Sequence, residues 1–508
     1  MRSTGNTSPA VTNPNGTTPK DASAVILLRH HTDPNNPEVF WVRRSEKLAF
    51  LGGYHAFAGG QLDADDAEAP VENCDDDETR ASISCAAREL FEELGVLVAR
   101  GGEALTQGQR ESLLDDLESQ RMSWPALLRH YDLHLDANDF TFVGRWVTPP
   151  FNARRFDTLF FLVTCPPKQE PRVIPGELES GEWIKARSAC ERWERSECLA
   201  VPPVMHALRT LAGGLTTDLR NRFLATRHAQ REPMRRIEFR PNYICFPVRT
   251  PTKPPATHTN CYLIYTSSEL LIIDPGSPYE DEQQALAACV DELIAAGRTV
   301  REIVLTHRHP DHVGGVKTLQ EHLERTGRVK VAAHELTAAA LRDDIQVDRF
   351  IADNEVVELE GEPRIGLRAL HTPGHARGHL CFHEARTGTL ISGDNILGLG
   401  SVLIDPPEGN MTDYLASLRR VRDLPKLSVI FGGHGPAIAN PYGKIDEYIT
   451  HRLEREANIL KAVRDGARTP QEIVQRVYTD VPPKAHALAE RAVLAHLEKL
   501  AADGLIVR

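Results

Sequence analysis

Short apolar runs bounded by turn-forming residues recur along this chain, and the two halves differ in kind. Ala24-Val25-Ile26-Leu27-Leu28 and Val39-Phe40-Trp41-Val42 predict two strands, and the turn-rich residues 31–37 between them predict a hairpin. A helix-period segment over residues 84–95 ends at Gly95, as a helix should. Apolar runs at 140–147 and 158–163 follow. In the second half, strands alternate with helical patterns through residue 440. There Leu270-Leu271-Ile272-Ile273 runs into the turn Asp274-Pro275-Gly276, and Ile303-Val304-Leu305 runs into Thr306. Helical segments follow residue 440, and Thr469-Pro470-Gln471-Glu472 predicts a helix start with Pro at the first helical position.

Length and composition narrow this picture. A chain of 508 residues predicts two or three domains, and 41% hydrophobic with 26% charged residues is the make-up of a soluble globular protein. A net charge of −12 argues against a partner held mainly through phosphates, although a local basic face could coexist with it. Residues 209–240 are rich in arginine; a helix end plus a linker is the expectation, and a basic face for a polyanion is the alternative. Nine scattered cysteines with no C-x-x-C pair fit a reducing, cytoplasmic compartment. Residues 1–20, rich in Ser, Thr, Asn, Pro and Gly, read as a disordered tail without a leader's apolar core. With no apolar stretch of 18 residues, neither a membrane span nor a membrane partner is expected.

The densest chemistry is Thr306-His307-Arg308-His309-Pro310-Asp311-His312, directly after an apolar strand. H-x-H-x-D-H delivers four metal-competent side chains to one loop, and imidazole with carboxylate suits Zn²⁺ or, less often, Fe or Mn. Downstream, His375, Asp394 and His434 each sit in a Gly-rich turn after an apolar run. Seven such residues make the donor set of a two-metal site. Two adjacent cations lower the pKa of a water between them and stabilise the attacking and leaving oxygens of a displacement. Asp274 reads either as a turn former or as a carboxylate orienting a ligand histidine.

On these motifs, residues from about 240 to 440 resemble the metallo-β-lactamase fold hydrolases. The resemblance implies His307, His309 and His375 on the first metal, Asp311, His312 and His434 on the second, and Asp394 as the bridge. It implies two Zn²⁺ ions and a catalytic part for Asp311. Arg377, between His375 and His379, is the candidate for the substrate's anion, with turn capping as the alternative. The segment after His434 resembles the lactamase-β-like branch, some of whose members are single-strand endoribonucleases. Leu494-Ala495-His496-Leu497-Glu498-Lys499-Leu500, the Asp503-Gly504 turn and a terminal β-rich run have the outline of a small winged-helix domain. Its positive charge is thin, so packing or dimerisation is expected rather than DNA reading.

The first half carries a second chemistry. In Arg88-Glu89-Leu90-Phe91-Glu92-Glu93-Leu94-Gly95-Val96, Glu89, Glu92 and Glu93 share one helix face. Clustered carboxylates repel unless a cation neutralises them, and oxygen ligands suit Mg²⁺ or Mn²⁺. The run resembles the second half of a Nudix box, and Phe57-Ala58-Gly59-Gly60 resembles its opening loop. Arg44-Ser45 and Gly53-Tyr54-His55-Ala56-Phe57 resemble the lead-in of coenzyme A diphosphatase-like members. The box is interrupted: Ala58 stands where the family usually has Pro, Asp66 where it has Glu, and Arg88 lies 28 residues after Gly60. The resemblance implies metal ligation by the Gly59 carbonyl, Glu92, Glu93 and Glu177 (with Glu179 competing). It also implies Glu89 as base, an Arg88 ion pair that holds the loop, and Arg44 at the substrate.

The expected architecture is α/β and α+β multidomain: a Nudix α/β/α sandwich, a metallo-β-lactamase αβ/βα sandwich and a small winged-helix domain. The expected divisions are tail 1–22, Nudix-like 23–213, linker 214–236, hydrolase 237–445 and winged helix 446–508. The expected function is phosphodiester hydrolysis, with single-stranded RNA as candidate substrate, joined to pyrophosphohydrolysis of a small phosphate compound such as a coenzyme A or nucleoside diphosphate derivative. The alternative is a thioester or lactone hydrolase whose Nudix half only senses nucleotides.

Overall fold

The computed structural model describes residues 18–48, 51–152, 154–230, 234–479 and 481–506. Most of the expected N-terminal tail, residues 1–17, lies outside the described residues, as do the last two residues of the expected C-terminal run. The strand Lys20–Leu28 begins inside the segment assigned to the tail, so order starts before residue 23.

Lys20–Leu28 is central to a seven-stranded sheet among the described residues. It runs parallel to Phe156–Thr164, with Val25 opposite Phe161, and antiparallel to Glu38–Arg44, with Leu27 opposite Phe40. The predicted hairpin is therefore present. The helix Asp77–Leu94 starts seven residues earlier than its apolar periodicity indicates. Its first turns are acidic, a favourable arrangement at the positive helix end, and Asp76 accepts the Thr79 N–H to cap them. Gly95, at φ 66°, closes the other end. This helix buries Ile83, Leu90 and Phe91 against Val25, Leu27 and Phe161.

The sheet's opposite face, with Ala24, Ile26 and Phe160, shares one apolar core with Phe239, Tyr243 and Phe431 of the second half. The Trp193 indole N–H donates to the Phe239 carbonyl within it. The expected linker contains the helix Leu219–Phe223 and a helical turn Arg227–Ala229, with Phe223 and Ala229 buried, so the junction is packed. Three of its arginines have partners within the chain: Arg222 the Gly214 carbonyl, Arg235 the Glu282 carboxylate, and Arg236 Glu292.

In the second half, a seven-stranded sheet from Ile237–Arg240 to Arg349–Phe350 faces a five-stranded sheet from Val356–Leu359 to Val429–Gly432. Glu280–Ala295 and Val316–Leu323 cover the first sheet, and Met411–Arg422 covers the second, which gives the expected αβ/βα layering. Pro441–Arg464 spans the expected boundary at 445/446 and joins the second sheet's core to the C-terminal helices. Those helices are Pro470–Val477 and His486–Ala502, and Thr469 caps the first as its Thr-Pro signature predicts. Leu505 and Ile506 form no strand, because the chain passes the Gly504 turn without a pairing partner among the described residues. No helix among the described residues is long and apolar enough to cross a membrane.

Candidate metal centres

Four strands end at one edge of the two facing sheets. Thr299–Val304 leads into His307 and His309, and Pro310 opens the helical turn Pro310–Val313 that carries Asp311 and His312. Ile365–His371, Thr389–Gly393 and Val429–Gly432 lead into His375, Asp394 and His434. His309 Nδ1 lies 3.0 Å from His307 Nε2 and 2.9 Å from His375 Nε2. Asp311, His312 and His434 form a second converging triad. Asp394 stands between the two. Its carboxylate is 3.3 Å from His312 Nε2, 3.3 Å from His434 Nε2 and 3.6 Å from His375 Nε2.

The donor set fits divalent metal ions. His312 Nε2 and Asp394 Oδ1 are buried without a hydrogen-bond partner, and such orphaned atoms cost about 1–3 kcal/mol each. A cation between them removes that cost. The cradle is tight: a Cβ on Gly433 would come within 2.3 Å of Asp394 Oδ1.

Each convergent imidazole is held at its other nitrogen by an oxygen, the arrangement that selects a tautomer and aims a ligand. His307 Nδ1 meets Thr306 Oγ1 at 3.0 Å, and His312 Nδ1 meets Asp274 Oδ2 at 2.8 Å. His375 Nδ1 donates to the Leu403 carbonyl and His434 Nδ1 to the His258 carbonyl, both at 2.8 Å. His309 Nε2 faces Glu408 Oε2 at 3.3 Å. Asp274 also accepts from the Thr306 N–H and hydroxyl, so it does more than form a turn. Glu408 and the Leu403 carbonyl carry no sequence signal beyond an acid in a Pro-rich turn. Arg377 is exposed and donates to the Pro407 carbonyl at 3.2 Å.

Electrostatics divide the imidazoles. Burial, with the nearby His312, holds His307 well below the ordinary histidine range, and burial with His309 pushes His375 down to about 4. Both are therefore neutral and ligand-competent. Burial opposes protonation of His312 and His434 too, but the carboxylates around them, Asp394 foremost with Asp311 and, at His312, Asp274, outweigh it and raise both. Against the effect of its own burial, Asp394 is held well below the carboxylate range by His434 and His312.

The first half gathers its own cluster. The Arg88 guanidinium reaches Glu89 at 2.9 Å, Glu92 at 2.8 Å and Asp66 at 2.9 Å. Asp66 lies in the interrupting stretch, which forms the helical turn Ala64–Glu68 and returns an acid to Arg88. The Gly59 N–H donates to Glu93 Oε2 at 2.9 Å, and a Cβ on Gly60 would collide with the Glu89 carboxylate. Burial foremost raises Glu89 to about 7 and Glu93 to about 8. Arg44 pairs with Glu177 at 3.1 Å, and both act electrostatically on Glu93. Glu179 pairs with Arg43 instead. A cleft of about 570 Å³ opens beside Asp66, Arg88, Glu92 and Trp124.

The class follows from comparison with known proteins. The Metallo-beta-lactamase superfamily profile matches residues 254–434, and that of the Beta-lactamase associated winged helix domain matches 469–508. The chain belongs to the metallo-beta-lactamase superfamily and is a metal-dependent hydrolase. It is 32% identical over 252 residues to the Beta-lactamase-like protein 2 homolog of Caenorhabditis elegans, covering 49% of this chain and 80% of that one. It is 30% identical over 258 residues to the Atrochrysone carboxyl ACP thioesterase of Aspergillus chevalieri, covering 48% and 76%. A NUDIX hydrolase structure from Alicyclobacillus acidocaldarius is 31% identical over 40% of this chain and 95% of its own, with a TM-score of 0.33.

Proposed function

We propose that the C-terminal site is a dinuclear zinc centre that hydrolyses an acyl bond, either a thioester or a lactone. The convergence of His307, His309, His375, Asp311, His312 and His434 around the Asp394 carboxylate carries the reading. Bound zinc ions would supply a water of lowered pKa and charge stabilisation for the attacking and leaving oxygens. Asp311, 3.5 Å from His434 Nε2, would help hold an ion with His312 and His434 and would present its carboxylate to that water as an acceptor. The acyl choice over a polynucleotide rests on the paired arginine at the mouth: Arg308 is bound by Glu408 through its Nε at 2.7 Å. The thioesterase relative supports the same choice. Single-stranded RNA is the second reading, favoured by the exposed Arg377.

Elemental analysis should give about two zinc ions per chain. A panel of acyl thioesters, lactones and RNA oligomers then separates the readings. Cleavage of thioester or lactone in preference to RNA is expected, and preferential cleavage of single-stranded RNA would replace the acyl reading.

For the first half we propose a Mg²⁺- or Mn²⁺-dependent pyrophosphohydrolase of Nudix type. Glu92, Glu93, Glu177 and the Gly59 carbonyl would hold the ion, Glu89 would take the proton, and Arg44 would meet the substrate. Coenzyme A and nucleoside diphosphate derivatives are the substrates to test. Changing Glu92 and Glu93 together to Gln should abolish that turnover and leave the zinc site intact. Absence of cleavage across a broad pyrophosphate panel, with nucleotide binding retained, would favour a sensor instead.

A further inference from the structure

The segment from Leu397 to Gly409 runs past the metal-ligand cluster and is gripped from outside by the C-terminal helices. Tyr448 and Arg452 stand one turn apart on Pro441–Arg464. The Tyr448 hydroxyl donates to the Gly400 carbonyl at 3.2 Å, and the buried Arg452 guanidinium donates to Ser401 Oγ at 3.2 Å and to the Val402 carbonyl. Arg491, on His486–Ala502, binds Asp405 Oδ1 at 2.5 Å and the Pro406 carbonyl. Between these holds lies Leu403, whose carbonyl accepts from His375 Nδ1. Just beyond them lies Glu408, which faces His309 Nε2 and is itself held by Arg308. Two of the three imidazoles in the first triad thus take their outer partner from this one segment.

We infer that the C-terminal helices are a clamp on the metal centre: Arg452 and Arg491 fix the 397–409 segment, and through it Leu403 and Glu408 aim His375 and His309. This rests on the two-metal reading above. Arg452, Arg491 and Glu408 are positioning residues, because none belongs to the converging donor set. The winged-helix region then serves the hydrolase through intrachain contacts, with no DNA required.

The test uses the full chain, stripped of metal and titrated with Co²⁺ against a competing chelator. Two readouts are followed: the affinity of each ion and the visible d–d absorption band, which reports ligand geometry. Wild type should take up two ions. Glu408→Ala should weaken one ion by about 10–100-fold and shift its band, as loss of an outer partner does. Glu408→Gln, which keeps an oxygen acceptor, should restore both readouts towards wild type. Arg491→Gln should produce a smaller change in the same direction, with the far-UV circular dichroism unchanged. Lys461→Ala, which removes an exposed pair with Asp465 near the C-terminal end of the helix Pro441–Arg464, should change nothing. Wild-type affinity and band in both Glu408→Ala and Arg491→Gln would overturn the clamp while leaving the two-metal reading standing. An equal effect from Lys461→Ala would overturn it too. Failure of the wild-type chain to bind cobalt would remove the two-metal reading, and the clamp with it.

Discussion

The two halves assemble like-charged or mutually repelling groups by opposite means. In the C-terminal half, the converging groups come from four separate strand ends, and four of the five imidazoles are aimed by an oxygen from elsewhere in the chain, His307 by its neighbour Thr306. In the N-terminal half, the carboxylates lie within one helix, and a single internal cation, Arg88, binds two of them. The first arrangement leaves buried donor atoms without partners, whereas in the second Arg88 pairs with Glu89 and Glu92. Buried imidazole and carboxylate atoms without partners make the first site costly to leave empty.

The sharpest way to break this contrast is Asp394→Ala. It should strip both ions and cut hydrolysis by at least about a hundredfold, a loss of about 3 kcal/mol or more of transition-state stabilisation. His434→Ala should loosen mainly one ion. Metal analysis alongside steady-state rates checks both, and full occupancy in Asp394→Ala would refute the bridging role.

A matched pair of glycine changes comes next. Gly433→Ala drives a methyl within 2.3 Å of Asp394 Oδ1, and Gly60→Ala does the same to Glu89 Oε1. Gly433→Ala should lower zinc content as well as rate. Gly60→Ala should lower Mg²⁺-dependent turnover while global stability falls by only about 1–3 kcal/mol. Equal metal loss at both sites would erase the distinction drawn between them.

A smaller effect is confined to the first half. Burial, helped by Arg192 and Arg43, lowers His55 from 6.5 to about 4. The unfolded chain takes up this proton below pH 6.5, whereas the folded chain resists until about pH 4. Stability is therefore intact above 6.5 and falls as pH drops through that window, by at most about 3 kcal/mol. His55→Gln should flatten the dependence in chemical denaturation measured across pH 4 to 7. A slope identical to wild type would assign the acid sensitivity elsewhere.

The smallest expected effect is at Arg377. Its bond to the Pro407 carbonyl supports the turn, while its exposure leaves it accessible to a substrate anion. Arg377→Ala should raise KM a few-fold with kcat nearly unchanged if it contributes uniform binding. An unchanged KM with full metal content would leave it only the turn.

Much of this molecule is legible in its residues because local rules govern those parts. The strand ends carrying His375, Asp394 and His434 follow from apolar runs that stop at glycine-rich turns, the one carrying His307 follows from the apolar run before it, and the Glu89–Glu93 face follows from helical spacing. The acidic first turns of the helix Asp77–Leu94 carry no apolar period, so periodicity alone starts this helix too late. The interruption after Gly60 obscured how Asp66 reaches Arg88, which it does through a separate helical turn.

The sequence by itself determined which groups can ligate and where each strand delivers them, since side-chain chemistry and backbone periodicity are local properties. Only the tertiary structure decided what aims those groups. The oxygens that hold His375, His309 and His434 lie 28, 99 and 176 residues away along the chain, and three of the residues supplying or gripping them, Leu403, Glu408 and Arg491, belong to no motif. The shared core that joins Phe160 to Phe239 and Phe431 is likewise a product of packing. Hydrogen bonds and core contacts between distant segments depend on how whole sheets and helices meet, and no periodic pattern in the chain records that meeting.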